Sequence, residues 1–197
     1  MPAEGGRTNQ RLRTRKDLLE AALRLSSEGE QPSLEEIAEA AKVSRATAYR
    51  YFPNVEALLS EASAHVAFPD AVALFDGLEK AGPVERLKRL DEVTATMIAA
   101  NEPALRAMIA TTVRQAMVDD AVPVRQNRRS PAIEAALAPY RSGYEPAALD
   151  RLQKALALVI GTESLLVLKD VLRLGDAEAA DIRRWVIEAL VEKARAR

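Results

Sequence analysis

Between Arg45 and Tyr51 the chain places two guanidinium groups, two phenols and a threonine hydroxyl, with no acid among them. All of these side chains donate hydrogen bonds, which suits phosphate oxygens and base edges and not the making or breaking of covalent bonds. Arg45 and Arg50 are the groups fitted to read bases, because a guanidinium can take guanine with two parallel bonds worth about 1–3 kcal/mol of discrimination. Ser44, Ala46, Thr47, Tyr49 and Tyr51 complete the expected contact set.

Two short helices must position these groups. Ser33 followed three residues later by Glu36 is a capping box, and Leu34, Ile37, Ala38 and Ala41 recur at helical spacing to give one buried stripe. The stripe breaks at Ala41-Lys42-Val43, Ser44 offers a second N-cap, and Pro53 ends the second helix. This is a helix-turn-helix, whose second helix fits the major groove.

At these residues the chain resembles the tetracycline-repressor (TetR) family of transcriptional regulators. The resemblance is carried by Ile37-Ala38, Val43-Ser44, Thr47, Tyr49, Tyr51-Phe52 and Glu56-Ala57-Leu58. It extends back through Leu19-Glu20-Ala21-Ala22-Leu23 and Gly29, covering roughly residues 10 to 60. By position in the family motif, Thr47 and Tyr49 resemble groove and phosphate contacts, Tyr51 a phosphate contact and Phe52 a core residue. Three positions depart from the pattern. Lys42 stands where glycine is usual and is expected to take a left-handed backbone at a cost of roughly 1–2 kcal/mol. Ser26 replaces a large aromatic, so Phe52 or Leu58 must fill the small core, and Val55 replaces a phosphate-contacting lysine.

Composition narrows the function further. Net charge is −1, so any DNA affinity must come from local arrangement of charge. Arg7, Arg11, Arg13, Arg15 and Lys16 form a basic arm before the helix-turn-helix, while Glu28, Glu30, Glu35, Glu36 and Glu39 are expected on faces turned away from DNA. With no cysteine there is no disulfide, thiolate metal site or thiol nucleophile. His65 is the one histidine, no metal-ligand cluster or glycine-rich phosphate loop accompanies it, and the pairs Asp91-Glu92 and Asp119-Asp120 point apart on a helix. No enzyme, metal or cofactor is therefore expected. No apolar run of about 20 residues occurs and the N-terminus carries no apolar signal, so a soluble cytoplasmic protein with no membrane partner is expected.

Strand signals are nearly absent and the chain reads as all-α, with helices near 9–27, 34–41, 44–52, 55–67, 69–80, 83–100, 102–118, 130–142, 146–173 and 177–196. The expected organisation is an N-terminal three-helix helix-turn-helix domain, residues 1–54, followed by a larger helical ligand-binding and dimerisation domain, residues 55–197. Residues 119–131 read as a loop whose Arg125, Arg128 and Arg129 are solvated. In 146–173, Leu152, Ala155, Leu156, Val159, Ile160, Leu166 and Val167 form one stripe, with Leu149, Leu158, Leu165, Leu168 and Leu172 beyond it. In the last helix Ile182, Trp185, Val186, Ala189 and Leu190 form a stripe, with Ile187 and Val191 beside it. Helices apolar on more than one side are buried from two sides, either deep in a monomer core or between that core and a second subunit, and the resemblance favours the second, a homodimer through residues 146–196.

The resemblance implies an apolar ligand pocket whose occupation shifts the fourth helix and the separation of two reading heads. Candidate lining residues are Phe68, Phe75, Met97, Asn101, Met108, Thr112 and Met117. Glu163 falls among Val159, Ile160, Leu166 and Val167, where an unpaired carboxylate is costly, so it must pair across the dimer, meet a polar ligand or take up a proton. The functional expectation is a ligand-responsive homodimeric repressor acting on a palindromic double-stranded DNA operator with a small-molecule effector. The alternative is a helical interaction protein that uses the helix-turn-helix for protein contacts.

Overall fold

In the computed structural model residues 3–27, 32–67, 73–117 and 127–195 are described, and they are helical with no strand among them. They form two compact units. The first holds α1 (Ala3–Ser27), α2 (Leu34–Ala40), α3 (Arg45–Tyr51), α4 (Val55–Ala67) and α6 (Glu102–Ala116). The second holds a 3₁₀ turn (Ala73–Phe75), α5 (Pro83–Ala100), α7 (Arg129–Leu137), α8 (Pro146–Val159), α9 (Thr162–Leu166) and α10 (Asp176–Arg195). The unit around the helix-turn-helix thus continues past residue 54, because α4 packs on both α1 and α6.

In the first unit Leu18, Leu19, Ala22, Ile37, Ala48, Phe52 and Leu58 are fully enclosed. Phe52 and Leu58 are both buried in this core, while Ser26 is exposed. Helix α1 starts at Ala3 and not near residue 9, so the basic arm is part of a helix. The capping box of α2 is formed, with Ser33 Oγ accepting from the Glu36 amide at 3.3 Å and Glu36 Oε2 accepting from the Ser33 amide at 2.8 Å. At its other end Ala41 is the C-cap and Lys42 follows with φ 58°. The Val43 amide donates to Ala38 O and the Lys42 amide to Glu39 O, both at 2.9 Å, which is the bond pair of a Schellman motif. Lys42 therefore supplies the left-handed turn between the two helices despite its Cβ.

The second unit packs α5, α7, α8 and α10 around Leu87, Leu90, Ile133, Leu137, Leu156, Ile160 and Ile187. Three of the expected helices are interrupted here, each for a local reason. Of the helix expected over 69–80, the described residues 73–80 hold only the short turn at 73–75, followed by Gly77 at φ 80°. The helix expected over 130–142 runs as α7 from Arg129 and tightens into a 3₁₀ turn (Ala138–Gly143). Pro139 has no amide for Ala135 O, and that carbonyl accepts instead from Arg86 Nη2 at 3.1 Å. The long helix expected over 146–173 ends at Val159, resumes as α9 and finishes in a π turn (Val167–Val171). At the break the Arg129 guanidinium lies over Gly161, where a Cβ would stand 2.5 Å from Nη1. That guanidinium donates to Ala157 O at 2.9 Å and to Glu163 Oε2 at 2.6 Å. Arg129 is thus a helix-end ligand and not a solvated loop charge.

The apolar faces of the last helices are also assigned by packing. On α10, Ala179, Ile187 and Val191 face the core, while Trp185 is 69 % exposed and Ile182 36 %. The core face is the one the sequence spacing placed beside the main stripe.

Replacing Lys42 with glycine should stabilise the first unit by about 1 kcal/mol, because glycine takes the left-handed conformation without the Cβ penalty. Thermal or urea unfolding of the Lys42→Gly protein reads this directly, and an unchanged or lowered midpoint would show that the turn carries no such strain.

Candidate nucleic-acid interface

Helix α3 is held by its inward face and offers the other. Ala48, Tyr51 and the C-cap Phe52 are buried, whereas Ser44, Arg45, Ala46, Tyr49 and Arg50 are exposed and Thr47 is half-buried. Ser44 Oγ accepts from the Thr47 amide at 3.1 Å and lies 2.8 Å from Thr47 Oγ1, so the two hydroxyls fix the first turn together. Arg50 makes no side-chain hydrogen bond among the described residues, and its guanidinium carbon lies 5.6 Å from the Tyr51 ring centroid. The exposed edge of α3 thus carries Arg45, Ala46, Tyr49 and Arg50, a pattern of donors flanking a methyl that suits base edges and phosphates.

One acid enters this surface. Glu35, on α2, accepts through the same oxygen from Arg45 Nη2 at 2.6 Å and from Tyr49 Oη at 3.0 Å. Its own backbone amide, then Tyr49 and Arg45, hold its carboxyl below the usual glutamate value. The same bond pushes the Tyr49 phenol up. The contact is therefore kept to a lower pH than a free glutamate would allow and is lost as pH falls through this lowered value. Glu35 was expected on a face turned away from DNA, but Arg45 and Tyr49 turn it toward the reading edge.

The support for α3 comes from an unexpected residue. Arg15, expected in the basic arm, is 2 % exposed. Its Nε donates to Glu61 Oε1 at 3.0 Å, its Nη1 donates to Tyr51 O at 3.4 Å, and its guanidinium stacks 4.5 Å from the centroid of Phe52. It ties α1 to α4 and to the end of α3. Beyond Pro53, Asn54 Oδ1 accepts from the Ala57 amide at 2.8 Å and caps α4, while Val55 packs against the core where a phosphate-contacting lysine is common in the resembling family.

This geometry meets an independent finding: residues 18–62 match the family model described as bacterial regulatory proteins, tetR family. Residues 18–62 thus carry the helix-turn-helix domain of that family. The chain is a DNA-binding helix-turn-helix transcriptional regulator, and the matched residues are those of the unit just described. A search of curated proteins finds no match to the chain. No helix among the described residues is long and apolar enough to cross a membrane.

Within the regulator, several expected site residues stand elsewhere than anticipated. Tyr51, expected as a phosphate contact, is 2 % exposed and packs in the core of the first unit, away from the exposed edge. The candidate ligand residues divide between the two units. Phe75 is buried in the second unit beneath the Arg86 guanidinium, 4.1 Å from its ring centroid, and Met97 is half-buried on α5. Asn101, Met108, Thr112 and Met117 belong to the first unit, where Met117 is 82 % exposed. Glu163 is half-exposed and paired with Arg129, so it needs neither a partner subunit nor a proton to balance its charge. Phe68 and Arg125 lie outside the described residues, as do the side chains of Arg7 and His65.

Sequence reasoning missed Arg15, Glu35 and Glu61. A weak signal existed for the first, since Arg15 lies three and four residues before Leu18 and Leu19 and so falls on their face of α1. Nothing in the spacing paired it with Glu61.

Removing the Glu35 charge releases Arg45 and Tyr49 to seek phosphates. The Glu35→Gln protein should bind random duplex DNA about two- to fivefold more tightly, in keeping with an exposed pair worth up to about 1 kcal/mol, while discriminating less between sequences. Fluorescence anisotropy with a random and a selected duplex at fixed salt measures both. Unchanged affinity for random DNA would show that Glu35 does not compete for these donors.

Proposed function

We propose that this regulator is a cytoplasmic, ligand-responsive homodimer that represses transcription by binding a palindromic operator. The observation that carries the DNA half of the reading is the exposed edge of α3, where Arg45, Ala46, Tyr49 and Arg50 stand on a rigidly backed helix. Base readout falls to Arg45 and Arg50, and Ser44, Thr47 and Tyr49 contribute groove and phosphate contacts. Support for the homodimer comes from the second unit. Leu158, Val167, Val171, Leu172 and Trp185 are each more than half exposed within residues 146–196. Exposure of so many large apolar groups is costly in water, and a second copy meeting them about a twofold axis removes it. A twofold dimer in turn requires an inverted repeat, with half-sites spaced by about one helical turn, 10–10.5 bp, or a multiple. Sequence-specific binding, and not catalysis, is the activity of this reading.

Selection of bound sequences from a random duplex pool tests it. The expected product is an inverted repeat with that spacing, bound with a steep salt dependence because each neutralised phosphate releases counterion. Recovery of no consensus, or of a consensus without internal symmetry, contradicts the reading. Arg50→Ala should then relax the preference at one base pair per half-site at a cost of about 1–3 kcal/mol, whereas deletion of residues 1–13 should weaken all sequences alike. If both changes weaken all sequences equally, Arg50 is a phosphate contact. Sedimentation of Trp185→Asp should give monomers where the unaltered chain gives dimers, and an unaltered dimer would place the interface elsewhere.

A further inference from the structure

In the second unit a set of hydrogen-bond donors converges on a space that the protein itself does not fill. Asp91 and Thr94 on α5 and Arg183 on α10 are all more than nine-tenths buried. Arg183 Nε donates to both Asp91 carboxylate oxygens at 3.0 Å, leaving its two terminal nitrogens without an acceptor among the described residues. The hydroxyls of Thr94 and of Ser164 on α9 are also buried with no partner. These groups surround a niche of about 10 Å³, room for roughly a single oxygen. A groove of about 290 Å³ adjoins it, sharing Asp91, Ala95, Leu165 and Arg183 and continuing past Ala99 and Ala179.

Unpartnered buried polar groups are rare in folded proteins and cost about 1–3 kcal/mol each, so two in one place, beside the unused edge of a guanidinium and a groove, point to an absent acceptor. We propose that this groove binds a small monocarboxylate with a short apolar body. The carboxylate meets the terminal edge of the Arg183 guanidinium from the groove and puts one oxygen into the niche toward the hydroxyls of Thr94 and Ser164, and the body lies along Ala95, Ala99, Leu165 and Ala179. The unused nitrogens of Arg183 can only donate, and the hydroxyls of Thr94 and Ser164 can donate beside them, which favours an acceptor group at this end of the groove. The planar fork of a guanidinium fits a carboxylate with two parallel bonds. A doubly charged phosphate is disfavoured, because Asp91 already faces the guanidinium and Glu92 and Asp176 line the outer groove. Burial pushes the Asp91 carboxyl above its ordinary value, which lowers the cost of bringing a second carboxylate to the same arginine. The volume sits near the lower end of small-molecule pockets, about 300–1,000 Å³, so the body is short.

The regulatory consequence of this site rests on the ligand-responsive reading above; the binding itself does not. Isothermal titration of the full-length protein with hexanoate, compared with hexanamide and hexylamine, tests the binding. Hexanoate should give saturable binding at one site per chain, hexanamide weaker binding and hexylamine none. Thr94→Val keeps the side-chain shape and removes an unpartnered hydroxyl, so it should leave the thermal midpoint equal or higher. It should also weaken hexanoate about tenfold, the worth of one hydrogen bond to a charged group. Absence of saturable heat up to about 10 mM hexanoate, weaker than the millimolar affinity that corresponds to about −4 kcal/mol, would mean that water alone fills the niche and would overturn the proposal. So would equal affinity for hexylamine, or unaltered hexanoate binding by both Thr94→Val and Ser164→Ala. Hexanoate binding that is lost in Thr94→Val but leaves DNA affinity unchanged supports the site and contradicts only the ligand-responsive reading.

Discussion

The reading helix depends on a buried ion pair that does not lie on its exposed edge. Arg15 on α1 and Glu61 on α4 are almost wholly enclosed, and the same guanidinium takes the Tyr51 carbonyl at the end of α3 and lies over Phe52. Taking two charges out of water is expensive, and such a pair is sustained only when its remaining donors are also used. Here the guanidinium spans three helices and so uses them. Loss of one partner leaves a buried charge uncompensated, a penalty of about 3–5 kcal/mol that falls on the helices whose placement sets Arg45, Tyr49 and Arg50.

The same device recurs wherever a helix is cut short. Pro139 removes an amide from the end of α7, and Arg86 donates to Ala135 O and Ala136 O. At the break after α8, Arg129 donates to Ala157 O and bonds Glu163 across the gap. Carbonyls at helix ends carry partial negative charge and have no amide to meet, so a planar cation with several donors is well suited to them. Arginine thus serves this chain in two ways. Arg45 and Arg50 stay exposed for nucleic acid, while Arg15, Arg86 and Arg129 close helix ends and Arg183 engages Asp91.

That division explains what the sequence made legible. The helix-turn-helix was readable because every local signal agrees: the Ser33 and Glu36 box, the stripe of Leu34, Ile37 and Ala38, the Ser44 cap and the stop at Pro53. Lys42 was readable too, since a residue between two such helices must turn left whatever its side chain. Long-range partners were not. Arg15 lies 46 residues from Glu61, Arg129 lies 34 from Glu163, and Arg183 lies 92 from Asp91, distances at which periodicity carries no information. The break at Gly161 was hidden for the same reason, because only the distant Arg129 makes it a seat for a guanidinium and not a point in a continuous helix. The burial of Tyr51 was not legible, because a tyrosine in a short helix fits either face on spacing alone.

Amide hydrogen exchange in the Glu61→Gln protein tests the dependence of α3 on its buried support most directly. Gln keeps the shape of the side chain and removes the charge opposite Arg15. With the amides of α8 and α10 as an internal reference, those of Ala48, Tyr51 and Phe52 should exchange at least about 100-fold faster than in the unaltered protein, the lower bound set by a loss of about 3 kcal/mol. Unchanged protection across α3 would contradict the account and show that apolar packing alone holds the reading helix.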